Sequence, residues 1–257
     1  PLLEDVDVLE ANVTIDASIA PLPGEEQPAH VWRSALALID ALSAELHRPI
    51  RQIWITEPLG APEHPFLRAD GYTPAHCERQ AIINADAIVA PDQNDRCDVI
   101  EDMAFDPTDL PSFLATLQES AAKSPRGSLS LEPVQWSASR LQDAAARLKD
   151  RGGSQITAIA RDVSGKPVGL AEVAKFENDA DSVAEIGLVY VREASRGLGL
   201  GKRALASAIS AALSIWPQTK QIYASYPNPQ PGASHILDHY APTGISQATA
   251  WQQGVPK

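Results

Sequence analysis

Long apolar runs are absent from the sequence, and so is the charge pattern of a secretion signal. No run approaches the ~18 apolar residues that a membrane-spanning helix needs, and the N-terminus has no basic stretch followed by an apolar one. The two cysteines, Cys77 and Cys97, are too few for a disulfide framework and lack the spacing of metal ligands. We therefore expect a globular protein of the reducing cytoplasm, with no membrane partner and no metal.

Positive charge is also scarce, with 21 Lys and Arg against 33 Asp and Glu and a net charge of −12. Since a nucleic-acid binder needs a basic face, this composition argues against nucleic acid as a partner, and equally against an anionic membrane surface. The exception is one short segment that contains four cations: Arg192, Arg196, Lys202 and Arg203. This segment fits a small polyanion that docks at one point.

The 257 residues, 44% apolar and 21% charged, suffice for one large domain or two of ordinary size. From about 86 to 111 the sequence is acidic and interrupted by proline, which is typical of a connection. The parts on either side share an order of elements: strand, loop, long helix, strand, short helix, glycine and strand. This order indicates a weak internal repeat, with an N-terminal part at 1–88 that lacks its early strands, a linker at 89–111 and a C-terminal part at 112–257.

Apolar periodicity predicts the individual elements. It places long helices at 30–47, 112–122, 137–150 and 202–216, and short ones within 64–72 and 234–240. It places strands at 11–22, 51–56, 77–84, 155–162, 168–176, 184–191, 221–226 and 245–253. Because the strand at 184–191 is apolar nearly throughout, we expect it in the centre of the sheet.

Three glycines follow that strand at alternate positions, in the segment "RGLGLGKR" from Arg196 to Arg203. A strand, a glycine loop and a helix N-terminus together favour anion binding, because the first N–H groups of a helix have no partners within it. A phosphate-binding P-loop would need glycine at Arg196 and Ser or Thr at Arg203. A dinucleotide-binding fingerprint would need G-x-G-x-x-G, whereas the spacing is G-x-G-x-G.

The remaining pattern is Arg-x-x-Gly-x-Gly, formed by Arg196, Gly199 and Gly201. It resembles the coenzyme A signature of the GNAT N-acetyltransferase superfamily, and the likeness extends over Val168 to about Gln253. The whole chain resembles tandem-GNAT acetyltransferases of the actinobacterial type, in which a degenerate N-terminal copy precedes an intact one. The resemblance implies an α+β fold with a mixed, mostly antiparallel sheet flanked by helices.

The resemblance also implies that acetyl-CoA is the acyl donor and that particular residues of this sequence bind it. Backbone N–H groups of the loop would hold the pyrophosphate; the loop residues are Arg196, Gly197, Leu198, Gly199, Leu200, Gly201 and Lys202. Main-chain groups of Val189, Tyr190 and Val191 would pair with the pantetheine arm. Asn228 would correspond to the asparagine that follows the next strand in the family.

Transfer to an amine requires a base for the amine and a proton for the departing thiolate. Glu185 lies 11 residues before Arg196, a spacing similar to that of the general-base glutamate in histone-acetyltransferase members. Tyr240, four residues before Gly244, resembles the tyrosine that protonates the thiolate. A solvated glutamate and a packed tyrosine are the structural alternatives. The acceptor would be a small-molecule or peptide amine.

Two alternatives to catalysis of this kind remain open. Pro242 and Ile245 depart from the family segment around the tyrosine, which permits a non-catalytic acyl-CoA-binding or regulatory protein. A transferase that resembles mycothiol synthase, which also has two such copies, is the other alternative.

In the N-terminal copy of this chain, Glu25 and Glu26 stand where the glycine loop would be required, so we expect no acetyl-CoA there. His235 and His239 share a helix face but have no third ligand nearby in the sequence, so we expect no metal site.

Overall fold

The computed structural model describes residues 7–15, 28–60, 63–177, 180, 182–228 and 236–254. Within these residues the strands are β1 (Val8–Asn12), β2 (Ile50–Glu57), β3 (Thr73–Asn84), β4 (Asp98–Glu101), β5 (Gly153–Arg161), β6 (Pro167–Phe176), β7 (Val183–Val191), β8 (Gln221–Pro227) and β9 (Thr243–Gln253). The helices are α1 (Ala29–Glu45), α2 (Pro65–Ala69), α3 (Leu110–Lys123), α4 (Ala138–Asp150) and α5 (Leu200–Ile215). The strands form one sheet in the order β1-β2-β9-β3-β8-β7-β6-β5-β4.

The long helices lie where apolar periodicity predicts them, and local signals set their ends. Ser137 caps α4, its side chain accepting a hydrogen bond from the N–H of Arg140 at 3.2 Å. α2 begins with Pro65 directly after His64, whose ring accepts from the N–H of Leu67. The strand predicted at 184–191 is β7, which has neighbours on both sides as expected.

One predicted strand boundary is wrong, and the predicted linker contains a strand. The strand predicted at 11–22 ends at Asn12; residues 13–15 are not in a strand, and 16–22 lie outside the described residues. The range 89–111, predicted as a linker, contains β4, which pairs with β5 from Asp98–Ile159 to Glu101–Ile156. Arg161 explains how an acidic segment joins the sheet, because its guanidinium contacts Asp98 at 2.6 Å and Asp109 at 2.5 Å.

Helices cover both faces of the C-terminal part of the sheet. Alternate residues of a strand point to opposite faces, and β6 follows this rule: Ala171 and Val173 belong to the core that includes α5, whereas Leu170 packs with Phe113 of α3 and Leu141 of α4. At the other end, α1 and α2 enclose a separate core around Trp32, Ile53 and Trp251. None of the described helices meets the length and hydropathy that a bilayer crossing requires.

The two halves of the chain repeat one unit and exchange its last strand. In the first half, α1 connects the parallel pair β1 and β2, and α2 leads to β3. In the second half, α5 connects the parallel pair β7 and β8, and a 3-10 turn at Asp238–Tyr240 leads to β9. However, β3 pairs with β8 of the second half, and β9 pairs with β2 of the first. The internal repeat predicted from element order is therefore present within one continuous sheet.

Candidate active site

A cavity opens where the parallel strands β7 and β8 separate. The strands pair from Val183–Gln221 to Ile186–Ala224, and beyond that point β7 continues to Val191 and β8 to Pro227 without pairing to each other. The cavity has a volume of about 740 Å³ and is lined by the ends of both strands, which have separated from each other. The separation leaves one edge of β7 open to a ligand, since backbone groups there have no β8 partner.

An irregularity in β7 lies at the start of this open edge. The pairing of β6 and β7 shifts between Ala171–Val189 and Val173–Ile186, so that β7 has one extra residue. Within the shift, the carboxylate of Glu172 accepts a hydrogen bond from the N–H of Leu188 at 3.3 Å. Burial raises the pKa of Glu172 to about 7. A Cβ at Gly187 would lie 3.3 Å from that carboxylate, which explains a glycine at this position.

The glycine loop connects β7 to the N-terminus of α5 at the edge of the cavity. Gly197 and Gly199 have positive φ angles of 81° and 74°, which L side chains rarely adopt. Gly199 precedes the first residue of α5, and its carbonyl accepts from the N–H of Arg203 at 3.1 Å. The three N–H groups of residues 200–202 therefore have no acceptor within the helix and carry the positive end of its dipole.

Glu119 of α3 fixes the beginning of the loop. Its carboxylate accepts hydrogen bonds from the Tyr190 hydroxyl at 3.1 Å, the Arg192 guanidinium at 2.9 Å and the N–H of Glu193 at 2.9 Å. Burial opposes ionisation of this carboxylate, but the three donors outweigh it and lower its pKa. The first loop residues are thereby attached to a neighbouring helix.

Arg196 is held back against β7. Its Nε donates to the carbonyl of Val191 at 2.9 Å, and its guanidinium lies 5.4 Å from the centroid of the Tyr190 ring. Gly201 is packed differently, because a Cβ there would approach the Cδ1 of Ile236 to 2.8 Å. Glycine at this position allows α5 to lie close to the segment that precedes Tyr240.

Three cations line the cavity within the described residues: Lys123 at the end of α3, and Arg196 and Lys202 of the loop. Two carboxylates also line it, Glu193 and Glu78. Glu193 is neutralised locally, since its carboxylate lies 3.3 Å from the ammonium of Lys123. The loop side of the cavity is consequently suited to an anion.

Most of the residues predicted to bind the acyl donor line this cavity. The lining includes the predicted residues Val189, Tyr190, Val191, Arg196, Gly197, Gly199, Leu200, Gly201 and Lys202. Leu198 and Asn228 are not in the lining: the side chain of Leu198 is 70% exposed, and the backbone of Asn228 donates to the carbonyl of Cys77. Their role in binding stays a prediction.

The two residues predicted to act in proton transfer, Glu185 and Tyr240, do not line the cavity. Glu185 lies on β7 opposite Ala174 and Tyr223, before the strands separate. Tyr240 is 6% exposed and packed in the core, and burial raises the pKa of its hydroxyl. Their catalytic roles stay predictions.

Of the other residues considered in the sequence, His239 contacts the Tyr240 ring. His235, Glu25 and Glu26 lie outside the described residues.

Other lining residues were not predicted from the sequence. Glu78 comes from β3 of the first half, and Lys123, Ser124 and Pro125 come from the end of α3. No sequence motif marks these residues, because they reach the cavity through strand pairing and helix packing. Within the described parts of the chain, no group of three or more His, Cys, Asp or Glu side chains could hold a metal ion.

A second cavity, of about 680 Å³, lies beyond the paired ends of β1 and β2. It occupies the position in the first half that the cavity between β7 and β8 occupies in the second. Its charged or ionisable lining residues, among those described, are Glu57, Glu63 and His64. Burial lowers the pKa of His64, so this lining offers a diphosphate no strong cation.

Comparison with protein families identifies the part of the chain that forms the larger cavity. Residues 117–229 match the model of the Acetyltransferase (GNAT) family. Over these residues the chain is therefore similar to GNAT acetyltransferases. The match covers β5 to β8, the glycine loop and α5, and therefore the described lining of the larger cavity except Glu78 of β3 and the pair Ile236 and Leu237. No curated protein matches the sequence.

Solved structures extend the likeness to both halves. A tandem GNAT protein from the clavulanic acid biosynthesis pathway is 15% identical over 91% of this chain and 73% of its own, with a TM-score of 0.63. A GCN5-related N-acetyltransferase from Sphaerobacter thermophilus is 12% identical over 98% and 75%, with a TM-score of 0.59. One from Kribbella flavida is 17% identical over 90% and 77%, with a TM-score of 0.55. At such identities the likeness shows the fold, which is that of a tandem GNAT protein with a shortened first copy.

Proposed function

We propose that the protein is an acetyl-CoA-dependent N-acetyltransferase that transfers the acetyl group directly to an amine in the cavity between β7 and β8. One observation carries the proposal: the open edge of β7 leads directly into a glycine loop and an uncapped helix N-terminus. A diphosphate suits that N-terminus, and an extended amide-containing arm suits an unpaired strand edge.

The residues present fit the acyl donor in charge and shape. Lys123, Arg196 and Lys202 supply positive charge in a chain of net charge −12. At Gly197 and Gly199 no atom lies within 4 Å of the position that a Cβ would take, so the backbone is accessible to a phosphate. Acetyl-CoA supplies an activated acyl carbon, and the chain orients it and holds its phosphates.

The overall reaction balances without a further reactant. A protonated amine and acetyl-CoA give the N-acetyl amine, free coenzyme A thiol and one proton released to solvent. A C–N bond forms at the acyl carbon and the C–S bond breaks. The nitrogen loses two protons in total, of which one ends on the sulfur. We retain Glu185 as the proposed base and Tyr240 as the proposed acid, although neither side chain is part of the cavity lining.

The test is thermal unfolding with and without acetyl-CoA. Acetyl-CoA at 100 times its dissociation constant stabilises a native protein by about 2.7 kcal/mol, which for a chain of this size raises Tm by roughly 5–10 °C. We expect this shift in the wild-type protein and expect Gly199→Glu to abolish it, because a carboxylate at that position repels the diphosphate.

Gly165→Glu is the matched control. Gly165 also has a positive φ, 82°, with open space at the Cβ position, but it lies in the turn between β5 and β6. Both substitutions strain the backbone alike, so a shift lost in both variants would reflect strain. A wild-type protein that acetyl-CoA does not stabilise contradicts the proposal.

A non-catalytic acyl-CoA-binding protein is the second candidate, because neither Glu185 nor Tyr240 lines the cavity. Both candidates bind acetyl-CoA through the loop, and only the enzyme releases thiol in the presence of an amine. Thiol release that depends on both acetyl-CoA and amine supports the transferase. Binding without any release over a broad amine panel supports the second candidate.

A further inference from the structure

A strand from the first half of the chain forms part of the wall of the cavity in the second. Because β3 and β9 are exchanged, β3 lies beside β8, with Glu78 opposite Pro227 and Gln80 opposite Ser225. Glu78 lines the cavity together with Ser225 and Tyr226. The family match ends at residue 229 and begins at residue 117, so Glu78 lies outside it.

Among the described residues, Ser225 and His76 hold the Glu78 carboxylate in place, and no Lys or Arg pairs with it. One carboxylate oxygen accepts from the Ser225 hydroxyl at 2.7 Å, and the other lies 3.6 Å from the Nε2 of His76. Lys123, Arg196 and Lys202 contribute to the lining from α3 and the loop, while Glu78 contributes from the β3–β8 wall. Glu193, the other lining carboxylate among the described residues, is paired with Lys123.

The chemistry of this carboxylate selects a cation. The hydrogen bond with His76 lowers the pKa of Glu78, burial opposes this, and the bond from Ser225 adds to the lowering. An ionised carboxylate only accepts hydrogen bonds, and an ammonium group only donates them. A carboxylate with a lowered pKa is a better ligand for an ammonium than an acceptor of its proton.

We propose that Glu78, supplied by the exchanged strand of the first half, binds the ammonium group of the acceptor and thereby selects cationic amines. This assignment rests on the proposed transferase function. It gives the first half a direct part in substrate recognition, beyond support of the fold.

The experiment compares steady-state acetyl transfer by the wild-type protein, Glu78→Gln and Glu78→Asp. The cationic probes are spermidine, kanamycin and Nα-acetyl-lysine methyl ester, and aniline is the probe that is uncharged at neutral pH. A charge-assisted hydrogen bond lost on binding raises KM for a cationic amine by about 10- to 100-fold. We expect this increase in Glu78→Gln, partial recovery in Glu78→Asp, and unchanged KM values for acetyl-CoA and aniline.

Glu57→Gln is the control for the loss of a carboxylate. Glu57 lies on β2, accepts from Gln247 and Thr249 of β9, and lines the other cavity. We expect wild-type KM values in this variant. Ser225→Ala removes the hydrogen bond to Glu78 but retains its charge. It should therefore raise KM far less than Glu78→Gln, which separates a disturbed contact between β3 and β8 from the loss of the charge.

The outcomes separate the two proposals. A wild-type protein that binds acetyl-CoA but acetylates none of the probes contradicts the transferase function, and the assignment of Glu78 fails with it. A wild-type protein that acetylates the cationic probes while Glu78→Gln retains the same KM contradicts the assignment alone. An equal loss of kcat with all four amines, aniline included, would indicate a structural role and would also contradict it.

Discussion

Glu78 and Ser225, which are 147 residues apart in the chain, are joined by a 2.7 Å hydrogen bond between β3 and β8. This bond exists because each half of the chain gives its last strand to the other half. The exchange has two consequences. It brings a carboxylate of the first half into the cavity of the second, and it makes the two cores depend on each other.

The dependence of the two cores predicts the effect of Trp251→Ala. Trp251 is fully buried and packs with Trp32, Ile53 and Leu67, although it belongs to the last strand of the chain. Removal of a buried tryptophan side chain lowers the free energy of unfolding by about 3–5 kcal/mol. We expect one cooperative thermal transition, observed by circular dichroism, whose Tm falls as a whole.

Leu38→Ala is the control, because this side chain on α1 is 60% exposed. It should leave Tm within about 1–2 °C of the wild type, as surface substitutions do. Two separate transitions in Trp251→Ala, one of them unshifted, would show that the halves unfold independently and would contradict a shared sheet.

The proposed anion site predicts that Lys202→Ala weakens acetyl-CoA binding. Lys202 is exposed in the first turn of α5 and lines the cavity. The loss of one charge-assisted contact to a phosphate raises the dissociation constant about 10-fold at low salt. The effect should shrink in 0.5 M salt because screening weakens exposed contacts. Titration calorimetry at both ionic strengths checks this.

Lys149→Ala provides the comparison for Lys202→Ala. Lys149 is also an exposed helical lysine, in the last turn of α4. An equal change in affinity for both variants would mean that general charge, and not a bound diphosphate, determines the effect.

The raised pKa of Glu172 predicts that the stability of the protein depends on pH. Burial raises this pKa from 4.5 to about 7, so the folded protein retains a proton that the unfolded chain has lost between these values. The free energy of unfolding therefore falls as pH rises from about 4.5 to 7, by up to roughly 3 kcal/mol, and then levels off. Gln mimics the protonated form. Glu172→Gln should accordingly match the wild type at pH 4.5 and exceed its Tm at pH 8.

The measurement for Glu172 is a series of thermal melts across this range. A difference in Tm between Glu172→Gln and the wild type that is the same at pH 4.5 and pH 8 would contradict the titration. Such a result would mean that the substitution changes packing around the N–H of Leu188 instead.

Much of the secondary structure could be predicted because its signals are local. Ser137 as a cap and Gly199 before α5 mark helix ends in any context. β4 was missed because its four residues, Asp98–Glu101, are acidic at both ends and lie in a proline-rich segment. Their place in the sheet depends on Arg161, which is about 60 residues away and gives no local signal.

The site could be predicted only in part, for a similar reason. The glycine loop is contiguous in sequence, so its residues were found together. Glu78 was not, because the strand that contains it has the same pattern whether its neighbour is β8 or another strand. The turn between Tyr240 and β9 could not be predicted either. Ala241 has a positive φ of 47°, and the chain turns there toward β9, which pairs with the first half.

The central claim is that the acyl donor binds between β7 and β8, and amide hydrogen exchange tests it most directly. The claim predicts that acetyl-CoA slows exchange in residues 186–191 and 196–203 and leaves residues 54–60 of the other cavity unchanged. Protection confined to residues 54–60, or equal in both cavities, would contradict it.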